Sequence, residues 1–219
     1  MKLLKQNSYL RTLGLIVGIF ILEILISSPA SAHHPLDGRL PANLFEGIMS
    51  GFGHPVIGFD HLAFVIASGL IASGIVGGVM IPIAFVVATA IGTGIHLASI
   101  NLPLPEIFIA ASVVLFGVLL LLRGKKQQNS NYILIVSFLA GLAGLFHGFA
   151  YGEGIFGAET TPLMAYLIGF TMIQLTISLG TYLLATKLSK TISIKYITRF
   201  AGFAISAIGM VFLSSAITG

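Results

Sequence analysis

Apolar runs of roughly 18 residues or more recur along almost the whole chain, and this feature limits the fold more than any other. A helix of that length crosses the hydrocarbon core of a bilayer. Only 8% of the residues are charged, against about 25% in a soluble domain, and no polar stretch is long enough to form such a domain. The sequence therefore predicts a single all-α, polytopic bundle of transmembrane helices.

Six of these runs predict transmembrane helices beyond residue 32. The first span could begin as early as Leu44, and Gly53-His54-Pro55 would then break or kink it, because proline removes a backbone donor. Two halves of three spans would have opposite orientations, which is the plan of an inverted three-helix repeat. The predicted spans lie near Val56–Ile75, Gly78–Ala98, Pro105–Leu122, Tyr132–Ala150, Leu163–Thr186 and Tyr196–Ser215.

Residues 1–32 have the organisation of a secretory signal peptide. A basic start is followed by an apolar segment over residues 13–26 and by the small residues Ala30-Ser31-Ala32, which are typical of a cleavage site. Cleavage would leave residues 33–219 as the six-helix transmembrane domain. Glu23 is atypical inside such an apolar segment, so an uncleaved anchor that adds a seventh span is the alternative.

Basic residues indicate how the chain is oriented. Lys and Arg favour loops on the cytoplasmic side. We therefore predict a multi-pass plasma-membrane protein with both mature termini on the extracytoplasmic side. The same distribution explains the net charge of +4 without a nucleic-acid partner. Seven of the eight basic residues beyond residue 32 lie in two inter-helix loops: Arg123, Lys125, Lys126, Lys187, Lys190, Lys195 and Arg199.

Histidines and acids gather on the side opposite the basic loops. In the predicted topology, every histidine and every acid beyond residue 32 falls in the outer half of the membrane or outside it. Carboxylates contribute little to membrane orientation, so topology alone does not explain their placement. An outer vestibule that attracts cations does explain it. The acids are Asp37, Glu46, Asp60, Glu106, Glu153 and Glu159.

The densest cluster is a His-x5-Asp-His pattern made by His54, Asp60 and His61 at the head of the first span. On a continuous helix the two histidines, seven residues apart, share a face with the aspartate beside them. Each such group costs about 2.5–3.5 kcal/mol at the centre of a membrane helix, so the cluster requires a functional reason. Imidazole suits nickel, zinc and copper, and a carboxylate neutralises the charge of the cation.

Further candidate ligands lie elsewhere in the chain. Glu153 follows His147 by six residues, a spacing also found in the first cluster. His96, near the end of the second span, is either another ligand or a buried, hydrogen-bonded histidine. His33-His34 would form a nitrogen-rich set suited to nickel or copper after cleavage, or an ordinary flexible terminus. The chain has no cysteine, so any metal must be bound by nitrogen and oxygen.

Three short motifs carry a family resemblance: Gly-His-Pro-x-x-Gly-x-Asp-His over residues 53–61, His33-His34-Pro35, and Phe146-His147-Gly148 followed by Gly152-Glu153. On these motifs the chain resembles the HupE/UreJ family of nickel and cobalt permeases. The resemblance implies secondary uptake of nickel or cobalt, with the His-x5-Asp-His residues essential for transport. The wider nickel/cobalt transporters look similar in carrying His-x4-Asp-His, one intervening residue fewer than here.

Together these observations predict a permease, not an enzyme, that takes up divalent nickel or cobalt as its substrate. No permanent cofactor is expected, and the expected partners are the ion and the lipid bilayer, while the protein partners are left open. Nothing matches a nucleotide-binding P-loop, so the membrane potential, with or without coupled protons, would drive uptake. Two alternatives stay open: an intramembrane zinc-dependent hydrolase, and a non-transporting metal sensor or anchor for metallo-enzyme maturation.

Overall fold

The computed structural model describes residues 36, 39–124, 129–191 and 193–218. The described residues form seven α-helices and no strand, so the prediction of an all-α fold is confirmed. The predicted signal peptide, His33, His34 and Asp37 lie outside the described residues. The helices are α1 Leu44–Ile57, α2 Phe59–Ala72, α3 Met80–Leu97, α4 Pro105–Leu121, α5 Ser130–Glu153, α6 Thr160–Leu188 and α7 Ile194–Thr218.

Helices α1 and α2 form a bent pair in place of the single predicted first span. Their axes differ by 80°, and Gly58 is the one residue between them. The interruption predicted at Gly53-His54-Pro55 lies three residues later instead, because Pro55 is accommodated inside α1. A Cβ at Gly58 would lie 2.6 Å from Cδ2 of His61, so a larger residue would displace the His61 ring.

Local side-chain bonds fix where several helices begin. The Asn43 side chain accepts the backbone N–H of Glu46 at 2.9 Å at the start of α1, and Asn129 accepts that of Tyr132 at 2.8 Å at the start of α5. These caps satisfy backbone donors that have no partner inside the helix. Pro105 opens α4 at a first-turn position, where its missing N–H is tolerated.

Glycines bring three pairs of helices into backbone contact. A Cβ added at the glycines named below would lie between 2.0 and 2.9 Å from a backbone atom of the neighbouring helix, so only glycine permits this packing. The contacts show that α1 and α6 are parallel, that α3 and α5 are parallel, and that α4 and α7 are antiparallel. They are Gly47–Pro162 and Gly51–Tyr166, Gly144–Phe85 and Gly148–Thr89, and Gly117–Gly202 and Gly209–Val114.

These helix directions give the bundle two ends of different chemistry. At the first, which we call the histidine end, α1 and α6 begin and α3 and α5 finish, and Gly152 packs against His96. At the second, the basic end, α2, α4 and α6 finish and α7 begins. There the N–H of Gly74 donates to Oγ1 of Thr186, and Arg123 bonds the C-terminus of α2.

Length and composition show a multi-pass membrane protein. Helices α3, α5, α6 and α7 are long and apolar enough to cross a membrane, and the bent pair α1–α2 is a fifth span if it crosses as one unit. Helix α4 is also apolar but has 17 residues, just under the roughly 18 of a typical span. Large apolar side chains such as Phe138 and Phe203 are about 70% exposed on the outer faces, as lipid contact requires. The count of six spans stays a prediction.

Candidate metal site

Three histidines meet inside the bundle toward the histidine end. His54 comes from α1, His61 from α2 and His147 from α5, and none is more than 2% exposed. The ring centroids of His54 and His61 are 5.8 Å apart, and those of His61 and His147 are 4.9 Å apart. His54 and His61 therefore approach each other across the bend at Gly58, and not along one face of a continuous helix as predicted.

A row of hydrogen bonds assigns the protons of His147 and His61. The Ser112 hydroxyl donates to the Ile109 carbonyl at 2.7 Å, so its oxygen accepts the Nε2–H of His147 at 3.1 Å. Neutral His147 then has its lone pair on Nδ1, which lies 2.7 Å from Nδ1 of His61. His61 must donate in this bond, and its own lone pair is consequently on Nε2.

A second row assigns the proton of His54 in the same way. The Tyr166 hydroxyl donates to the Tyr151 carbonyl at 2.9 Å, and its oxygen lies 2.7 Å from Nδ1 of His54. The one hydroxyl proton is already used, so His54 donates its Nδ1–H to Tyr166. The lone pair of His54 is therefore also on Nε2. Bonds of this kind fix the tautomer of a ligating histidine and raise its basicity.

The ring of Tyr151 packs against both imidazoles whose Nε2 atoms have lone pairs. Its centroid is 5.0 Å from that of His54 and 4.7 Å from that of His61. The side chain is fully buried, and its hydroxyl has no hydrogen-bond partner within the described part of the chain. A buried hydroxyl without a partner costs about 1–3 kcal/mol, and a ligand that contacts this oxygen would offset that cost. The Tyr151 oxygen is therefore a candidate third ligating atom.

The cluster is not a closed metal cage. Across residues 36, 39–124, 129–191 and 193–218, no three His, Asp or Glu side chains are grouped closely enough to hold an ion together. Both ring nitrogens of His147 are occupied, one by Ser112 and one by His61. The arrangement thus provides two imidazole nitrogens and a phenol oxygen, fewer strong ligands than a structural zinc site has.

Asp60 is buried beside the histidines but is bound locally. It is 5% exposed, and its Oδ1 accepts the backbone N–H of His61 at 2.8 Å. Its position in the first turn of α2 places the carboxylate where the partial positive charge of the helix N-terminus is stabilising. Asp60 therefore supplies a negative charge next to the cluster and holds the backbone at His61.

The remaining predicted residues lie outside the three-histidine cluster. His96, on the last turn of α3, packs against Phe149 with ring centroids 4.5 Å apart, and its Nδ1 is buried with no partner among the described residues. Glu153 is exposed at the end of α5. Glu46 is paired with Arg39 at 2.7 Å, so its charge is already partly neutralised.

Sequence comparison decides the family. A family-wide profile described as HupE / UreJ protein matches residues 20–212. The chain belongs to the HupE/UreJ family. It is also 28% identical over 171 residues to "Protein HupE" of Rhizobium leguminosarum bv. viciae, a match that covers 77% of this chain and 85% of that protein. No solved structure matches the chain. The resemblance inferred from the short motifs is therefore confirmed.

In this HupE/UreJ chain, the residues that hold the histidines in place were not predicted. Ser112, Tyr151 and Tyr166 fix the ring tautomers or line the cluster, and Ser112 and Tyr166 each stand alone among apolar residues. A signal existed for one of them: Tyr151 follows His147 by four residues and so lies on the same helix face. The other two come from helices whose contact with the cluster depends on packing, which no local spacing encodes.

Proposed function

We propose that this HupE/UreJ protein is a permease that takes up divalent nickel or cobalt across the plasma membrane. The observation that carries the proposal is the proton arrangement of the buried cluster, which leaves the Nε2 lone pairs of His54 and His61 on neighbouring rings. Imidazoles with fixed tautomers are good ligands for late transition metals, and both tautomers are fixed by bonds on the opposite ring nitrogen.

The small number of donors favours transport over permanent binding. Catalytic zinc sites have three protein ligands and structural sites have four. This cluster offers two imidazoles and the hydroxyl of Tyr151, with Asp60 nearby to neutralise charge. An ion held by so few strong ligands keeps part of its water and can leave again, as a carrier requires.

The histidine that does not bind the ion has a supporting role. When His61 binds a cation through Nε2, its Nδ1–H becomes a stronger donor to His147. Charge-assisted hydrogen bonds are roughly twice as strong as neutral ones, so this bond strengthens as the ion arrives. Ser112 holds the other nitrogen of His147 and prevents the ring from turning away.

Charge distribution gives the direction of movement. Exposed acids at the histidine end, Glu106, Glu153 and Glu159, attract the hydrated ion, and the basic end lies inside because loops with Lys and Arg favour the cytoplasm. An inside-negative potential contributes about 2.3 kcal/mol per charge for each 100 mV, hence about 4.6 kcal/mol for a divalent ion. Uptake then needs no nucleotide hydrolysis by this chain.

Uptake by the purified protein tests the proposal directly. The full chain is reconstituted into proteoliposomes, and initial entry of radiolabelled nickel and of radiolabelled cobalt is measured with and without an imposed inside-negative potential. We expect entry of at least one ion above that of empty liposomes, increased by the potential and removed by His61→Ala. Entry equal to that of empty liposomes for both ions would sink the proposal.

The same preparation separates a carrier from a zinc hydrolase or a sensor. A hydrolase would retain about one tightly bound zinc per chain through purification in the absence of added metal, whereas a carrier exchanges its ion. A sensor or anchor would bind the ion but leave the metal content of proteoliposomes and of expressing cells unchanged. Measuring metal content before and after dialysis, beside uptake, distinguishes these outcomes.

A further inference from the structure

The basic end contains a cavity of about 330 Å³ bounded by the ends of α2, α4 and α6 and the start of α7. Its size is within the range of small-molecule sites, roughly 300–1,000 Å³. The polar side chains that line it are all potential hydrogen-bond donors, two of them cationic: Arg123, Lys195, Ser73, Ser189, Ser193 and Thr198. Among the described residues, no carboxylate lines the cavity.

Arg123 is the fixed part of this lining. Its Nη1 donates to the Leu70 carbonyl at 2.7 Å and to Oγ of Ser73 at 3.0 Å, and its Nη2 donates to the Ser73 carbonyl. Through these bonds the guanidinium caps the C-terminus of α2, and all three acceptors are uncharged. No acid of the described residues pairs with the guanidinium, and its partial burial lowers the pKa of Arg123. Its positive charge is therefore not neutralised by a carboxylate of the described residues.

Lys195 is the adjustable part of the lining. It is exposed on the first turn of α7, with Ser193 just before it and Ser189 across the cavity at the end of α6. Lysine is a mobile point charge, whereas a capping arginine is held in one direction. A metal ion would be repelled by both cations, so the cavity has the wrong charge to belong to the route of the transported ion.

We propose that this cavity is an anion site for a phosphate group, either the phosphodiester of an anionic lipid headgroup or free phosphate. Arg123 supplies a charge held in one position, Lys195 closes on the group from α7, and the hydroxyl of Ser193 donates to its oxygens. Basic pockets between membrane helices on the cytoplasmic side suit anionic headgroups. The bound group would tie the ends of α2, α4, α6 and α7 together. The inference does not depend on metal transport.

The test measures thermal stability of the full chain in a neutral detergent. Phosphatidylglycerol, phosphatidylcholine and, separately, inorganic phosphate at constant ionic strength are titrated against the unfolding midpoint. Arg123 also caps α2, so the test variant is Lys195→Gln. The matched control is Lys190→Gln, which makes the same charge change on an exposed residue between α6 and α7 that does not line the cavity.

We expect phosphatidylglycerol, but not phosphatidylcholine, to raise the midpoint. Lys195→Gln should weaken the apparent affinity about fivefold, the effect of one basic residue near an anionic surface, while Lys190→Gln keeps the parent value. A rise with inorganic phosphate that shows the same dependence on Lys195 would identify free phosphate as a sufficient ligand. Equal losses in the two variants would indicate diffuse charge attraction, and no rise with either anion would mean no site. Either result overturns the proposal.

Discussion

The two ends of the bundle both bury polar groups, but the histidine end presents ring nitrogens with lone pairs, whereas the basic end presents cationic N–H groups. At the histidine end, single protons are shared along two rows of hydrogen bonds, and each row finishes in a ring nitrogen with a lone pair, on His54 or on His61. At the basic end, Arg123 and Lys195 provide cationic donors, and no carboxylate of the described residues lines the cavity beside them. The first arrangement can accept a cation and the second an anion. Net charge alone, +4 for the whole chain, shows neither.

What a polar group in a membrane protein can bind therefore depends on its hydrogen-bond partners, and not on its residue type alone. His147 has the same side chain as His61, yet both of its ring nitrogens are engaged, so it has no lone pair to offer a ligand. Arg123 bears a full charge, yet it donates three hydrogen bonds to the C-terminal end of α2.

The first prediction places the two ends on opposite sides of the membrane. The chain has no cysteine, so Thr160→Cys at the histidine end and Thr191→Cys at the basic end are a matched pair of exposed threonines. In intact cells, an impermeant thiol reagent should label only Thr160→Cys, and Thr191→Cys should become reactive after the membrane is opened. The opposite pattern would reverse the assignment of outside and inside.

The second prediction concerns the two lone pairs. His54→Ala and His61→Ala should each reduce initial metal uptake by more than about tenfold, because removal of even a supporting residue typically costs 10–100-fold. The control is Arg39→Ala, which breaks an exposed ion pair with Glu46. Such pairs contribute about 0–1 kcal/mol, and uptake should stay within about twofold.

The third prediction isolates the charge of Asp60. Asp60→Asn keeps an oxygen that can accept the backbone N–H of His61, so the local fold is preserved while the negative charge is lost. Uptake should fall by roughly tenfold, since the cation is then poorly neutralised at membrane depth. Uptake within twofold of the parent, at equal protein in the membrane, would show that the charge of Asp60 does not contribute.

The fourth prediction concerns external pH, because a histidine must be neutral to bind metal. Apparent affinity should weaken as external pH falls from about 7.5 to about 5.5, across the ordinary imidazole pKa of about 6.5. Protons and metal compete for the same nitrogens, so the effect should be larger for external than for internal pH. A proton-driven symporter behaves in the opposite way. A rise in both rate and affinity on external acidification, at fixed potential, would refute capture by His54 and His61.

The fifth prediction compares two tyrosines that differ by the role of the hydroxyl. Tyr166→Phe removes the acceptor for Nδ1–H of His54 and should weaken metal affinity about tenfold. Tyr151→Phe removes a buried hydroxyl that has no partner in the described residues, so the protein should melt no lower than the parent. If that hydroxyl contacts the ion, affinity should still fall about threefold. Unchanged affinity in Tyr151→Phe would assign the hydroxyl no part in binding.

Much of the fold could be predicted because lipid imposes a simple rule on sequence. Apolar runs of spanning length became helices, and the predicted start of the third span at Pro105 is the first residue of α4. The bend at Gly58 could not be predicted, because the sequence indicates a break at Gly53-His54-Pro55, whereas Pro55 is accommodated inside α1. Glycines and prolines are common throughout the chain, and only tertiary contacts show which of them turns a helix.

The candidate site was predictable in part, for a different reason. Ionisable residues are so costly in a membrane that His54, Asp60, His61 and His147 are conspicuous in the sequence. Hydroxyl groups cost much less to bury in a membrane, so Ser112, Tyr151 and Tyr166 do not stand out in the sequence. The directions of the helix pairs are those that an inverted repeat would give, since exchange of the first three spans with the last three leaves the pairing unchanged. The repeat itself stays a prediction.

The glycine-packed pairs have a consequence for synthesis at the ribosome. The most extensive contacts join α1 to α6, α3 to α5 and α4 to α7, so each pair takes one helix from the first half of the chain and one from the second. When α4 leaves the ribosome, none of the first four helices has yet met its main partner. The half-made protein must wait in the bilayer with its glycine faces against lipid. A premature stop after α4 would therefore yield a species for membrane proteases to remove, and not a stable half-protein.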